Sequence, residues 1–243
     1  MFPSVTKATS KTLTEAMESS NSTYKLYYFN VHGRGEIFRI LWAYGGAKWE
    51  ELPIDWPAEK KLTPFQCVPV VYETTPDGTV LQICETEVIE RYLAKKFNLL
   101  GKNEWEQLQI EQIQSSTEGT QYAYHLQVVK GDFEKRAENF RKFYDEHLTR
   151  FIEVHENHLK NNGSNGFYVG ESLSLADIKA TIFIDRMTFL RPKDVQEVVF
   201  SAEKTPNLWK VRENVHAHPN IAEWKNSQRH KELSVNTHKT LNF

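Results

Sequence analysis

Cysteine is scarce in this chain: Cys67 and Cys84 are the only two among 243 residues. Two thiols cannot make a disulfide framework, and their spacing fits no zinc motif. Each sits in apolar, strand-like sequence, so both read as buried free thiols of a reducing compartment, and a cytoplasmic location is expected. Long apolar runs are missing as well. None approaches the ~18 residues needed to span a bilayer, so the chain reads as soluble, without a membrane partner. A surplus of charge is also lacking. The formal net charge of -2 leaves no basic face for nucleic acid. The nine histidines form no HExxH pattern and no metal is expected; His155 and His158 lie in a polar helical stretch and read as a solvated face. Residues 1–22 have no central apolar segment and so do not read as a secretory signal. Lys7 and Lys11 among serines and threonines suit a transit peptide, but Glu15, Glu18 and the lack of arginine oppose it. A disordered extension is expected there.

The rest of the chain is rich in pattern. Tyr24 to Asn30 is aromatic and β-prone and reads as a strand. A break with two glycines follows, then Ile37, Ile40, Leu41 and Tyr44 at helical spacing, stopped by Gly45 and Gly46. Lys48 to Ile54 reads as a second strand, and Asp55 to Gln66 as a loop with two prolines. Val68 to Tyr72 and Thr79 to Ile83 flank Thr75-Pro76-Asp77-Gly78, a hairpin signal. Thr86 can cap a helix whose apolar face is Val88, Ile89, Tyr92, Leu93 and Phe97. This order makes a compact α/β unit.

After Leu100-Gly101 the pattern changes to helices alone. The expected spans are Glu104 to about Val129, Asp132 to about Leu159, Ser174 to about Leu190 and Pro206 to about Ala217. Ser174 and Asp177 stand at capping-box spacing before an apolar run. The domains expected are therefore an extension at 1–22, an α/β domain at 23–101 and an all-helical domain at 102–243.

The stretch YKLYYFNVHGRGEIFRILWAY closely resembles the opening of sigma-class glutathione transferases. The likeness continues through TPFQCVPVV and CETEVIERYLAKKF, and resumes at FYVGESLSLADI and HPNIAEW. It covers roughly Thr23 to Trp224, with the motifs in the right order. The resemblance implies a thioredoxin-like first domain and a helical second domain that contributes the electrophile site. It implies glutathione as co-substrate, a small hydrophobic electrophile as the other partner, a homodimer and a role in detoxification.

Such an enzyme must hold the glutathione sulfur as thiolate, since a free thiol has a pKa of ~8.5. A tyrosine hydroxyl can donate a hydrogen bond to S⁻. A bond of that kind is worth about 1.5–3 kcal/mol, enough to lower the thiol pKa by about one to two. Tyr24, Tyr27 and Tyr28 compete for the role. Neighbours in a strand face opposite ways, so Tyr27 and Tyr28 cannot both reach one site. The family pattern has the tyrosine before Phe-Asn and six residues ahead of an arginine, which selects Tyr28 with Arg34 and makes Tyr27 a packing residue. Arg34 opens a helix, where a cation opposes the helix dipole; in the family it organises the site beside the thiolate.

The resemblance further implies a cis Val68-Pro69 bond, with Val68 pairing its backbone to the cysteinyl unit of glutathione. Glu85 and Thr86 stand where the family has Gln-Ser. A helix N-terminus at Thr86 offers N–H groups to the γ-glutamyl carboxylate, and Glu85 can meet the ammonium. Trp56 and Lys60 grip the glycyl carboxylate in the family, with Lys61 a rival for Lys60. Val31, Tyr122 and Tyr124 are candidates for the electrophile pocket; at two-residue spacing on a helix, at most one of the tyrosines faces it. Sigma-class prostaglandin D synthases carry an acidic cluster on the first long helix of the second domain, used for a metal and for the neighbouring subunit. Here only Glu111 remains. Two other readings are open: a non-catalytic glutathione-binding structural protein like the S-crystallins, and an interaction module. A structural descendant has no need of a thiolate donor at Tyr28.

Overall fold

The computed structural model describes residues 2–192, 195, 198–241 and 243. Contacts divide the chain into two units. The first runs up to Asn98 and takes in Glu223–Thr237; the second holds Leu99–Ala222 and His238–Phe243.

The first unit is built on a four-stranded sheet. Strands β1 (Thr23–Tyr27), β2 (Lys48–Leu52), β3 (Val70–Thr74) and β4 (Val80–Cys84) lie in the order β2-β1-β3-β4. β2 is parallel to β1, while β3 and β4 are antiparallel to their neighbours. The parallel pair needs a crossover, which helix α2 (Glu36–Tyr44) supplies. The antiparallel pair needs only the turn at Thr75–Gly78, where the Asp77 carboxylate accepts from the Thr79 N–H at 3.1 Å. Alternation along β1 sends Tyr24 and Leu26 to the α2 side. There Tyr24 stacks on Trp42 at 5.3 Å, and Trp42 on Trp49 at 5.8 Å. Tyr27 lies on the opposite face with Val70 and Tyr72. Helix α3 (Thr86–Lys96) closes the unit.

The extension differs from expectation. Helix α1 (Ser10–Glu18) forms there, with a capping box between Thr9 and Thr12. Phe2 packs edge-on against Tyr27 at 4.8 Å. The Thr6 N–H donates to the Val80 carbonyl and the Thr6 hydroxyl accepts from the Val80 N–H, both at 2.9 Å, so Thr6 covers the open edge of β4. Lys96 reaches the Ala16 carbonyl at 2.5 Å, and the same ammonium pairs with the buried Glu73. The anchors are isolated residues in a run of serine and threonine, which is why composition does not reveal them.

The second unit is helical, and no strand occurs among its described residues. Its elements are α4 (Glu104–Tyr124), α5 (Arg136–Phe143), α6 (Thr149–Asn161), α7 (Leu175–Phe189) and α8 (Pro206–Ala217). The expected first span runs on from α4 through a π-helical turn at His125–Val129; the second is divided by another at Tyr144–Leu148. α7 is the central helix: it is buried over most of its length, and Ser174 and Asp177 form the capping box that its sequence implies. Two further helices, α9 (Pro219–Asn226) and α10 (Gln228–Leu241), follow and were not anticipated. Among the described residues, no helix is long and apolar enough to cross a membrane.

Candidate functional site

Tyr28 lies one residue past the end of β1, half-buried and turned to the α2 side as alternation requires. Its hydroxyl oxygen accepts the Arg34 backbone N–H at 2.9 Å. A phenol has one proton and can accept as well as donate, so this bond leaves the O–H proton available to a ligand. The arrangement depends on two glycines. A Cβ on Gly33 would lie 2.5 Å from the Tyr28 hydroxyl oxygen, and one on Gly35 would lie 2.8 Å from the ring. Gly33 also has φ of +43°, a left-handed conformation that glycine adopts without steric cost.

Arg34 extends from the same turn to the N-terminus of α3, where its guanidinium donates to the Thr86 hydroxyl at 3.4 Å. Thr86 is buried and Glu85 before it is exposed. Glu85 holds φ of +67°, which is strained for a residue with a side chain. It accepts from the Cys67 thiol at 3.5 Å. Burial, then the bond and charge of Glu85, push the Cys67 thiol upward, while Arg34 and Lys60 act in the opposite direction. The bond between Val68 and Pro69 is cis, as the resemblance implies. Backbone at Val68, the α3 N-terminus, two cations and the Tyr28 hydroxyl thus lie around one strip of the first unit.

Trp56 and Lys60 stand on the loop between β2 and β3. Trp56 packs on the Tyr27–Val70–Tyr72 cluster and meets Phe29 edge-on at 6.0 Å. Lys60 opens a 3-10 turn at Lys60–Leu62 and is exposed. Lys61 is exposed too, but Lys60 is the one whose charge is felt at Cys67. The loop is tied down by a bond the sequence did not disclose. The Tyr27 hydroxyl donates to the Glu59 carboxylate at 2.6 Å, and the Asp55 N–H donates to the same oxygen at 3.1 Å. Tyr27 is therefore more than packing: it fastens the loop that carries Trp56 and Lys60. Its pKa is raised, first by burial and then by Glu59, so it remains a donor.

Other expected residues fare differently. Tyr124 is fully buried, donates to the Leu190 carbonyl at 2.6 Å and packs on Phe143. It belongs to the core of the second unit and not to a pocket wall. Tyr122, on the same helix, is exposed, and Val31 in the first unit is half-buried. Glu111 accepts from Gln107 at 3.0 Å. The solvated face expected for His155 and His158 is corrected. His155 is buried, bonded to Tyr168 at 2.7 Å and Ser116 at 3.1 Å, and His158 donates to the Tyr168 carbonyl at 2.9 Å. Aromatic partners distant in sequence make this polar stretch interior.

Comparison with known proteins bears on most of the chain. Residues 120–228 match the family described as the glutathione S-transferase C-terminal domain. A probable glutathione S-transferase 7 of Caenorhabditis elegans is 30% identical over 212 residues, covering 83% of this chain and 94% of the relative. The S-crystallin SL11 of Nototodarus sloanii is 28% identical over 204 residues, covering 82% and 94%. Among solved structures, the sigma-class transferase of Fasciola hepatica superposes with a TM-score of 0.73 at 22% identity, covering 84% of this chain and 95% of its own, which speaks to the fold.

Proposed function

This chain belongs to the glutathione S-transferase family, and from that premise we propose that it binds glutathione along the Tyr28–Thr86 strip and uses Tyr28 to hold the sulfur as thiolate. The observation that carries the reading is the bond from the Arg34 N–H to the Tyr28 hydroxyl at 2.9 Å. It fills an acceptor site on the phenol oxygen and leaves the hydroxyl proton for the sulfur. In the reaction, the thiol gives its proton to water, the thiolate lone pair forms the new bond to the electrophilic carbon, and the leaving group departs with its electron pair. The Tyr28 proton stays on oxygen throughout and stabilises the sulfur before attack.

The other residues bind the tripeptide. The Val68 backbone pairs with the cysteinyl unit, and the α3 N-terminus with Thr86 receives the γ-glutamyl carboxylate. Glu85 meets the γ-glutamyl ammonium, while Trp56 and Lys60 hold the glycyl carboxylate. Arg34 supplies positive charge beside the sulfur through its side chain and position through its backbone. The second substrate is a small hydrophobic electrophile. The reading carries with it a cytoplasmic homodimer engaged in detoxification.

The test is conjugation of glutathione to 1-chloro-2,4-dinitrobenzene. Tyr28→Phe removes one hydrogen bond to a charged atom, so kcat/KM should fall about tenfold to a hundredfold while glutathione still binds. Equal turnover by the two proteins would remove Tyr28 from the mechanism. The S-crystallin relative supports a second reading, a structural protein that keeps the glutathione site. Retention on glutathione resin without turnover of any electrophile tried would favour it.

A further inference from the structure

The first unit contains a second cluster of chemistry-bearing side chains, which the thiolate site does not use. His32, Glu36 and His230 bring one ligand atom each to within 4.8 Å of one another. His32 Nδ1 lies 2.8 Å from one oxygen of Glu36, and His230 Nε2 lies 3.4 Å from the other. The imidazole ring centres are 4.5 Å apart. Glu36 is buried, and both histidines retain some exposure, which leaves an entry path.

The surroundings are those of an oriented ligand set. The Ser234 hydroxyl donates to the His230 carbonyl at 3.1 Å, so its oxygen is left to accept at the 2.9 Å contact with His32 Nε2. The tautomer with its hydrogen on His32 Nε2 satisfies both contacts and turns an Nδ1 lone pair toward a carboxylate oxygen. In that tautomer a positive centre, a proton or a metal ion, is needed between Nδ1 and the carboxylate oxygen 2.8 Å away. Each Glu36 oxygen is also held from outside: Trp224 Nε1 donates to one at 3.0 Å, and Arg39 donates to the other at 3.4 Å. These donors leave a lone pair of each oxygen directed at the imidazoles. Metal-binding histidines and carboxylates commonly have such outer partners, which fix their tautomer and orientation.

We propose that His32, Glu36 and His230 form a binding site for a divalent transition ion of the zinc type. Two imidazoles and a carboxylate exclude the hard ions, which prefer oxygen alone. Bonds of ~2.0–2.1 Å at tetrahedral angles place ligand atoms about 3.3 Å apart, close to the 3.4 Å between His230 and Glu36, while the 2.8 Å between His32 and Glu36 must open on binding. Three protein ligands leave a fourth position for water. The ion would pin residues 230–234 to the turn that presents the Arg34 N–H to Tyr28. The site is independent of the proposed transferase chemistry and departs from the expectation, drawn from contiguous motifs, that no metal binds.

The experiment uses the full chain, stripped with chelator and free of glutathione, titrated with cobalt(II). Expected are saturable uptake of one ion per chain, visible absorption of low-coordinate cobalt, and its displacement by zinc. Ser234→Ala should weaken binding about tenfold or more through loss of the outer partner. His230→Gln should abolish the absorption; circular dichroism checks that both variants are folded. Absence of saturable uptake, or uptake unchanged in folded His230→Gln, would overturn the site and leave the cluster as a hydrogen-bonded hub.

Discussion

At the scale of the residue, the site depends on what is small as much as on what is reactive. In the proposed reaction the Arg34 N–H fixes where Tyr28 offers its proton, and its approach needs Gly33 to lack a side chain. Gly33→Ala would place a Cβ 2.5 Å from the hydroxyl oxygen on a backbone with φ of +43°. The left-handed conformation costs about 1–2 kcal/mol for an ordinary residue, which corresponds to a melting point about 2–8 °C lower. Since a phenol can swing aside more readily than backbone can move, the strain should displace Tyr28. Turnover with 1-chloro-2,4-dinitrobenzene should then fall as far as in Tyr28→Phe. A variant with wild-type kcat and only a lower melting point would show that the hydroxyl's placement does not matter.

At the scale of the element, the loop between β2 and β3 is held by the short bond between Tyr27 and Glu59 and by the packing of Trp56. Removing the bond through Tyr27→Phe loosens Trp56 and Lys60 but leaves Tyr28 in place. KM for glutathione should rise about two- to tenfold, the worth of one hydrogen bond, with kcat little changed. A fall in kcat without change in KM would refute a role in glutathione binding. The sign of the pH effect follows from Glu59, whose carboxyl is held below its usual range, first by the Tyr27 bond and then by the Asp55 N–H. The fastening is complete above the ordinary carboxylate range and is lost as pH falls through the depressed value. Glutathione affinity should therefore weaken on the acid side in the wild type and show less of that dependence in Tyr27→Phe.

At the scale of the whole molecule, acid acts on the second unit in two opposed ways. His155, buried in the second unit, has its pKa pushed down to about 3 by burial and then by the neighbouring His158. Its folded value lies below the unfolded value of ~6.5, so the unfolded chain takes up a proton first. Stability is full above that value and drops by about 1.4 kcal/mol per pH unit below it. Asp177 works in the opposite sense, because burial raises its carboxyl to about 6 and it gains a proton in the fold before it does so in the unfolded chain. The two partly offset each other in mild acid. His155→Gln removes one side of the balance. Urea unfolding at pH 7 and pH 5 should show the stability of the variant gaining on that of the wild type by about 2 kcal/mol. An identical pH dependence in the two proteins would mean that His155 does not stay neutral in the fold.

The sequence by itself determined the division into an α/β part and a helical part, because alternation, helical spacing and turn residues are local signals. Strand alternation set Tyr28 apart from Tyr27, and the resemblance to the transferases pointed to Tyr28 with Arg34. Thr86 at a helix start and the hairpin at Thr75–Gly78 were legible as local signals. Only the tertiary structure decided what depends on residues brought together from afar. Thr6 and Phe2 order an extension whose composition reads as disordered. Tyr168 and Ser116 turn His155 from a surface residue into a core one. Glu59 gives Tyr27 a task that packing does not explain, and Trp224, His230 and Ser234 return to Glu36 and His32 from the far end of the chain. Hydrogen bonds and burial act through space, and the periodicities read from sequence reach only a few residues along it.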